Sequence, residues 1–123
     1  MPAPSWALLI WSGFAATFAA AVVGNAAGGG APRAWSLAPR AQNRGAALRW
    51  SCFAGIVGFP IIYSILFELI GRADLLVGIL AGLIHALLAF LAAHPRRNRA
   101  AALRAAGMHF VYVVVFAFLY ITP

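Results

Sequence analysis

Residues 75–93 read LLVGILAGLIHALLAFLAA, an uncharged run of 19 residues. A membrane-spanning α-helix needs about 20 mostly apolar residues to cross roughly 30 Å of hydrocarbon. Because a helix rises about 1.5 Å per residue, this run is just long enough to cross with little tilt. The stretch therefore predicts a transmembrane helix that carries one imidazole, His85, near its middle.

Three other runs have the same character, and none is interrupted in its centre by a charge. Residues 6–27 form a run of 22, residues 50–70 a run of 21 whose one acid is Glu68, and residues 105–122 a run of 18. With 75–93 they predict an all-α fold, a four-helix transmembrane bundle with short loops. The whole chain, 1–123, is expected to form a single transmembrane domain.

The first of these runs has a signal peptide as its alternative interpretation. A signal peptide begins with a basic segment and has an apolar run of about 7–15 residues. Residues 1–5 contain no arginine, and the run that follows has 22 residues. We therefore expect the run to be a helix of the mature protein.

The arginines give the direction of the four spans. The cytoplasmic loops of membrane proteins carry the excess of Lys and Arg. Four spans place 28–49 and 94–104 on one side with eight arginines, and leave one on the other. The eight are Arg33, Arg40, Arg44, Arg49, Arg96, Arg97, Arg99 and Arg104, and the ninth is Arg72. The pattern predicts an N-out/C-out protein whose two cytoplasmic loops meet anionic lipid headgroups.

The composition points to lipid as the solvent. Hydrophobic residues make up 64% of the chain and charged residues 9%, against about 45–50% and 25% in soluble domains. The net charge of +7 lies in loops between apolar runs and not on a folded polar face, which argues against a nucleic-acid partner. The abundance of Ala, Gly, Pro and Arg, all with GC-rich codons, favours a bacterial source. Together with the four spans, this predicts a multi-pass protein of a bacterial plasma membrane.

Local signals predict how the helices end and how they pack. Gly71 suits the left-handed position that terminates a helix, Asp74 suits the cap that starts the next one, and Pro60 predicts a kink. Small residues recur at intervals of four in the first and third spans, which lets helix backbones approach closely. These are Ser12, Ala16, Ala20, Gly24 and Gly28, and Gly78, Gly82 and Ala86. The aromatic-rich last span is expected to be peripheral, facing lipid or another protein.

His85 and His109 are the candidate site residues, because polar groups at membrane depth are functional hypotheses. In antiparallel helices their depths would differ by roughly 5 Å. Histidine can ligate haem iron or the magnesium of a chlorin, so these two residues are the candidate cofactor ligands. The favoured interpretation is structural and needs no cofactor: each histidine hydrogen-bonds a neighbouring helix. The candidate partners are Tyr63, Tyr112, Thr17 and the carbonyl freed by Pro60.

Motifs of catalysis and metal binding are missing from the sequence. It has no His-Glu-x-x-His, no glycine-rich phosphate loop and no mid-membrane acid for a proton-coupled transporter. The single cysteine, Cys52, excludes an intramolecular disulfide and a cysteine-only metal site. We therefore expect no enzyme and no metal.

The runs FELIGRADLLVGILAGLIHALLAF and MHFVYVVVFAFLY resemble an uncharacterised family of small bacterial four-helix membrane proteins. The shared features are the pair Phe67-Glu68, the glycines Gly78 and Gly82 before His85, and His109 with Tyr112. The two runs cover about a third of the chain. The resemblance implies a fold and no activity.

The function expected from the sequence is that of a non-enzymatic accessory or structural subunit, associated with other membrane proteins or with itself. A haem- or chlorin-binding protein that uses the intramembrane histidines is the first alternative. A small oligomeric transporter is the second, based on the helix that Pro60 breaks beside His85.

Overall fold

The computed structural model describes residues 5–26, 49–50, 52–71, 74–93 and 95–121, and every regular element in these residues is helical. The elements are α1 (Trp6–Ala26), a π-helical turn (Ala54–Gly58) that leads directly into α2 (Phe59–Ile70), α3 (Leu75–Ala92) and α4 (Arg99–Ile121). Of the predicted cytoplasmic loop 28–49, only residue 49 is described.

Within the described residues, three of the four helices are long and apolar enough to cross a membrane. The qualifying segments are Trp6–Gly24, Leu75–Ala92 and Arg99–Tyr120. The fourth helical segment, Ala54–Ile70, is apolar but shorter. The prediction of an all-helical fold is confirmed for the described residues, with three helices that have the length and composition to cross a membrane.

The last helix begins at Arg99, earlier than the predicted Ala105. The Oδ1 atom of Asn98 accepts a hydrogen bond from the backbone N–H of Ala101 at 3.0 Å, as an N-cap side chain does. The residues that follow are rich in alanine and arginine, which are strong helix formers. The segment assigned to a cytoplasmic loop, 94–104, is therefore largely the first turns of α4.

The expectation that the last helix is peripheral was wrong, because α4 lies between α1 and α3. Its large side chains are fully buried: Met108, Tyr112, Val113 and Phe116 have no exposed surface. The reason lies in the neighbouring helices. Both present small residues towards α4, so large side chains fill the space between them.

The small residues of α1 and α3 are the surfaces that face α4. Ala16 and Ala20 are fully buried, and a Cβ built on Gly24 would lie 2.5 Å from the Met108 sulfur. A Cβ on Gly78 would lie 2.5 Å from the Cβ of Ala117. The small-residue intervals thus mark helix contacts at Gly24 and Gly78, whereas Gly28 lies outside the described residues.

Gly82 also faces α4, as predicted, but less tightly. A Cβ built there would lie 3.4 Å from Phe110 and 3.5 Å from Val113, which is ordinary van der Waals contact. The pairing of Gly78 with Ala117 and of Gly82 with Val113 shows that α3 and α4 run antiparallel.

The connection between α2 and α3 follows the local sequence signals. Gly71 has a left-handed backbone with φ of 72°, and its N–H donates to the Phe67 carbonyl at 3.0 Å. Asp74 accepts a hydrogen bond from the Val77 N–H at 2.9 Å and caps α3. Both predicted caps are confirmed. The spacing of Glu68 and Arg72, four residues apart with the acid first, also predicts an ion pair, but Arg72 lies outside the described residues.

Candidate functional site

The site begins at the break in the helix before Pro60. In the π-helical turn the Phe59 N–H donates to the Ala54 carbonyl, five residues back. The next donor in this register would be Pro60, which has no N–H, so the Gly55 carbonyl loses its partner. The hydroxyl of Tyr112 donates to that carbonyl at 2.5 Å. The carbonyl freed by Pro60, a predicted partner of the histidines, is therefore bonded by a tyrosine of α4.

Helix α1 lies close to the broken segment because the residues at the contact, Gly13 and Gly55, have no side chains. A Cβ on Gly13 would lie 2.6 Å from the Pro60 ring and 2.8 Å from the Gly55 carbonyl oxygen, and a Cβ on Gly55 would collide with Thr17. The Thr17 hydroxyl donates to the Gly13 carbonyl at 2.7 Å. Thr17, one of the predicted histidine partners, thus bonds its own helix.

His85 of α3 has a polar partner on α2. Its Nδ1 atom is hydrogen-bonded to the Tyr63 hydroxyl, and its side chain is only 6% exposed. The hydroxyl hydrogen needs an acceptor, and among the described residues Nδ1 is the acceptor found, so Tyr63 donates. In neutral imidazole the other nitrogen, Nε2, then carries the hydrogen. Nε2 is buried without a hydrogen-bond partner among the described residues.

His109 of α4 has the opposite arrangement of its ring nitrogens. Its Nδ1 lies 2.6 Å from the Ala105 carbonyl oxygen, and the side chain is fully buried. A carbonyl can only accept, so Nδ1 carries the hydrogen and Nε2 of a neutral ring holds the lone pair.

The two histidines lie side by side inside the protein. Their ring centroids are 4.9 Å apart with an angle of 55° between the planes. Phe59 packs edge-on against both rings, at centroid distances of 4.9 and 6.4 Å, and against Tyr112 at 5.5 Å. We call Phe59, Tyr63, His85, His109 and Tyr112 the aromatic centre. Both candidate histidines therefore point into the protein and not towards its outer surface.

The aromatic centre does not fit a haem held between its two histidines. Two metal–nitrogen bonds of about 2 Å, with the two ring radii, would place the centroids more than roughly 6 Å apart. The porphyrin plane would also have to pass between two rings that are 4.9 Å apart. Among the described residues no group of three or more His, Cys, Asp or Glu side chains could hold a metal. A chlorin on a single histidine stays a prediction.

An open groove lies beside the aromatic centre, between α2 and α3. It has a volume of about 360 Å³. Its lining residues are Phe59, Ile62, Tyr63, Leu66, Ala81, Ile84, His85 and Leu88. Tyr63 and His85 are the polar residues of this lining. The sequence offered one signal of the groove, the small residue Ala81 one turn before His85.

A second cavity of about 350 Å³ lies where α3 ends, lined by Leu91, Pro95, Arg96 and Arg97. Both arginines are exposed. The cavity therefore combines two cations with an apolar wall.

Comparison of the chain with protein-family models, curated proteins and solved structures finds no match. The resemblance to small four-helix membrane proteins therefore stays a prediction.

Proposed function

We propose that the chain is a non-enzymatic, four-helix transmembrane protein that serves as an accessory or structural subunit. It associates with a larger membrane complex or with copies of itself. The hydrogen bonds of the aromatic centre hold α2, α3 and α4 together. In this proposal the outward faces of the helices contact the partner proteins.

The observation that carries the proposal is the apolar outer surface of α1, α2 and α3. Trp11, Phe14 and Phe18 of α1 are 58%, 52% and 66% exposed. On α3, Leu83 and Leu87 are more than half exposed. Such surfaces need lipid or another apolar protein surface as their neighbour.

The hydrogen bonds support a structural role for the interior. The Tyr63 hydroxyl joins α2 to α3 through His85, and the Tyr112 hydroxyl joins α4 to the π-helical turn. Bonds of this kind between membrane helices contribute about 1 kcal/mol each.

The proposed location is a bacterial plasma membrane, with both termini outside and the arginine-rich segments 28–49 and 94–104 on the cytoplasmic side. The eight-to-one distribution of arginines supports this direction. The cavity beside Arg96 and Arg97 suits the phosphate of an anionic headgroup, because guanidinium groups bind phosphate well and Leu91 can contact an acyl chain.

Purification in a mild detergent tests the subunit role. We expect the chain to migrate as a complex larger than one copy, and mass spectrometry to identify either a second membrane protein at fixed stoichiometry or the chain alone. A chain that migrates as a monomer in detergent and crosslinks to nothing in native membranes would contradict the proposal. The transporter alternative stays a prediction, and substrate flux in proteoliposomes tests it.

A further inference from the structure

We propose that the groove between α2 and α3 binds a neutral, membrane-dissolved lipophile whose carbonyl oxygen accepts a hydrogen bond from Nε2 of His85. This function goes beyond the structural role of the aromatic centre. Quinone-type molecules represent the chemical class, because they combine ring carbonyls with a long apolar tail.

The first step is a buried donor on His85, a residue that lines the groove. The Tyr63 hydroxyl occupies Nδ1 of His85, which leaves the hydrogen on Nε2. Nε2 has no hydrogen-bond partner among the described residues although the side chain is only 6% exposed. A buried donor without a partner costs about 1–3 kcal/mol. The ligand group that relieves this cost is an acceptor that has no hydrogen of its own to satisfy, such as a carbonyl.

The second step is the shape and chemistry of the walls. Ile62, Leu66, Ile84 and Leu88 supply aliphatic surface on both sides of the groove. Its volume of about 360 Å³ falls within the range of about 300–1,000 Å³ that is typical of small-molecule sites. Such sites are largely apolar with a few placed polar groups that orient the ligand.

The third step is depth. His85 lies close to the middle of α3, which runs from Leu75 to Ala92. If α3 crosses the bilayer, this position is roughly 10–15 Å from the headgroup region on either side. The ester carbonyls and charged headgroups of phospholipids stay near that region. A carbonyl at this depth must therefore belong to a molecule that dissolves in the hydrocarbon core.

The competing acceptor for the same hydrogen is the Nε2 lone pair of His109. The two rings cross at 55° with centroids 4.9 Å apart, and no hydrogen bond joins the two Nε2 atoms in this arrangement. If the rings rotated so that this bond formed, the Nε2 hydrogen of His85 would be bonded within the protein. The groove would then have no donor for a ligand and would contact only acyl chains. The test must therefore report on the ligand carbonyl itself.

The test uses the full chain in lipid nanodiscs and two probes, decyl-benzoquinone and decylbenzene, which share the tail and differ in the carbonyls. We expect decyl-benzoquinone to bind protein-containing discs above the level of empty discs. Its carbonyl stretching band in the infrared should move to lower wavenumber on binding. His85→Leu should remove that shift and weaken decyl-benzoquinone binding about three- to tenfold, the value of one hydrogen bond of about 0.6–1.4 kcal/mol. Binding of decylbenzene should be the same in both proteins.

Two further variants keep the test decisive if His85→Leu fails to fold. Ala81→Phe fills the groove and should abolish binding of both probes, whereas Leu87→Phe places the same ring on α3 outside the groove and should change neither. An unshifted carbonyl band, equal responses of the two probes to His85→Leu, or binding no greater than in empty discs would overturn the proposal. The first two results would identify the groove as an acyl-chain contact only.

Discussion

At the scale of single residues, the hydroxyl of Tyr112 takes the place of the N–H that Pro60 lacks. Tyr112→Phe leaves the Gly55 carbonyl without this donor, so we expect a loss of about 1–2 kcal/mol in the free energy of unfolding. Unfolding in mixed micelles measures it. Tyr120→Phe is the matched control, because Tyr120 stacks on Phe116 in the same way and is only half-buried. Equal effects of the two variants would contradict this role.

A second prediction for single residues concerns the Gly55 carbonyl and the proline that leaves it without a backbone donor. Pro60→Ala restores a backbone N–H in the broken turn, which can then reach the carbonyls that the proline left without a donor. We expect Tyr112→Phe to cost less in the Pro60→Ala background than in the parent. A double-mutant cycle of unfolding free energies measures the difference. Strictly additive effects would show that the hydroxyl and the proline are independent.

At the scale of helices, the contact between α3 and α4 makes glycine replacements a graded series. Gly78→Ala should destabilise most, because its Cβ would lie 2.5 Å from that of Ala117. Gly82→Ala should be close to neutral, whereas Gly82→Leu should destabilise, since only one methyl group fits beside Phe110 and Val113. Gly107→Ala is the control: no atom lies within 4 Å of the added Cβ, and alanine favours a helix by about 1 kcal/mol.

Thermal stability of the four variants in one detergent checks this order. A Gly78→Ala protein that unfolds at the same temperature as Gly107→Ala would show that α3 and α4 do not approach as closely as described.

The presence of the helices was predictable because their signals are local, although α4 begins at Arg99 and not at Ala105. The cap at Asp74, the left-handed Gly71 and the small-residue intervals each depend on neighbours in the chain. The central position of α4 was not predictable. Large aromatic residues suit a lipid-facing helix as well as a buried one, and the difference arises only when the small residues of α1 and α3 face the same helix.

The candidate site was predictable only in part, because some of its features depend on single residues and others on the arrangement of the helices. The inward direction of His85 and His109 and the bond from Tyr63 follow from the cost of a polar group in hydrocarbon. The centroid distance of 4.9 Å and the groove depend on the lateral order of the helices. Nothing in a run of apolar residues encodes that order, so the sequence predicted two inward histidines but neither the separation of their rings nor the groove.

At the scale of the whole molecule, the direction of insertion is the testable property. We expect a reporter that functions only in the cytoplasm to be silent at residue 123 and active when inserted near residue 40, on the eight-to-one distribution of arginines. Fluorescence of the two fusions, normalised to expression, measures it. A bright fusion at residue 123 would mean an odd number of spans or the reverse direction.

The π-helical turn at Ala54–Gly58 also determines how the segment before α2 responds to the loss of one residue. A turn of this kind holds one residue more than an α-helical turn, so it is equivalent to a single-residue insertion. Removing one residue from the turn would restore a regular α-helical turn and leave the segments on either side facing as they do now. Trp50 and Phe53, which are exposed, would keep their direction. We therefore expect a deletion within the turn to be tolerated better than a deletion within α2, which would rotate everything before it by about 100°.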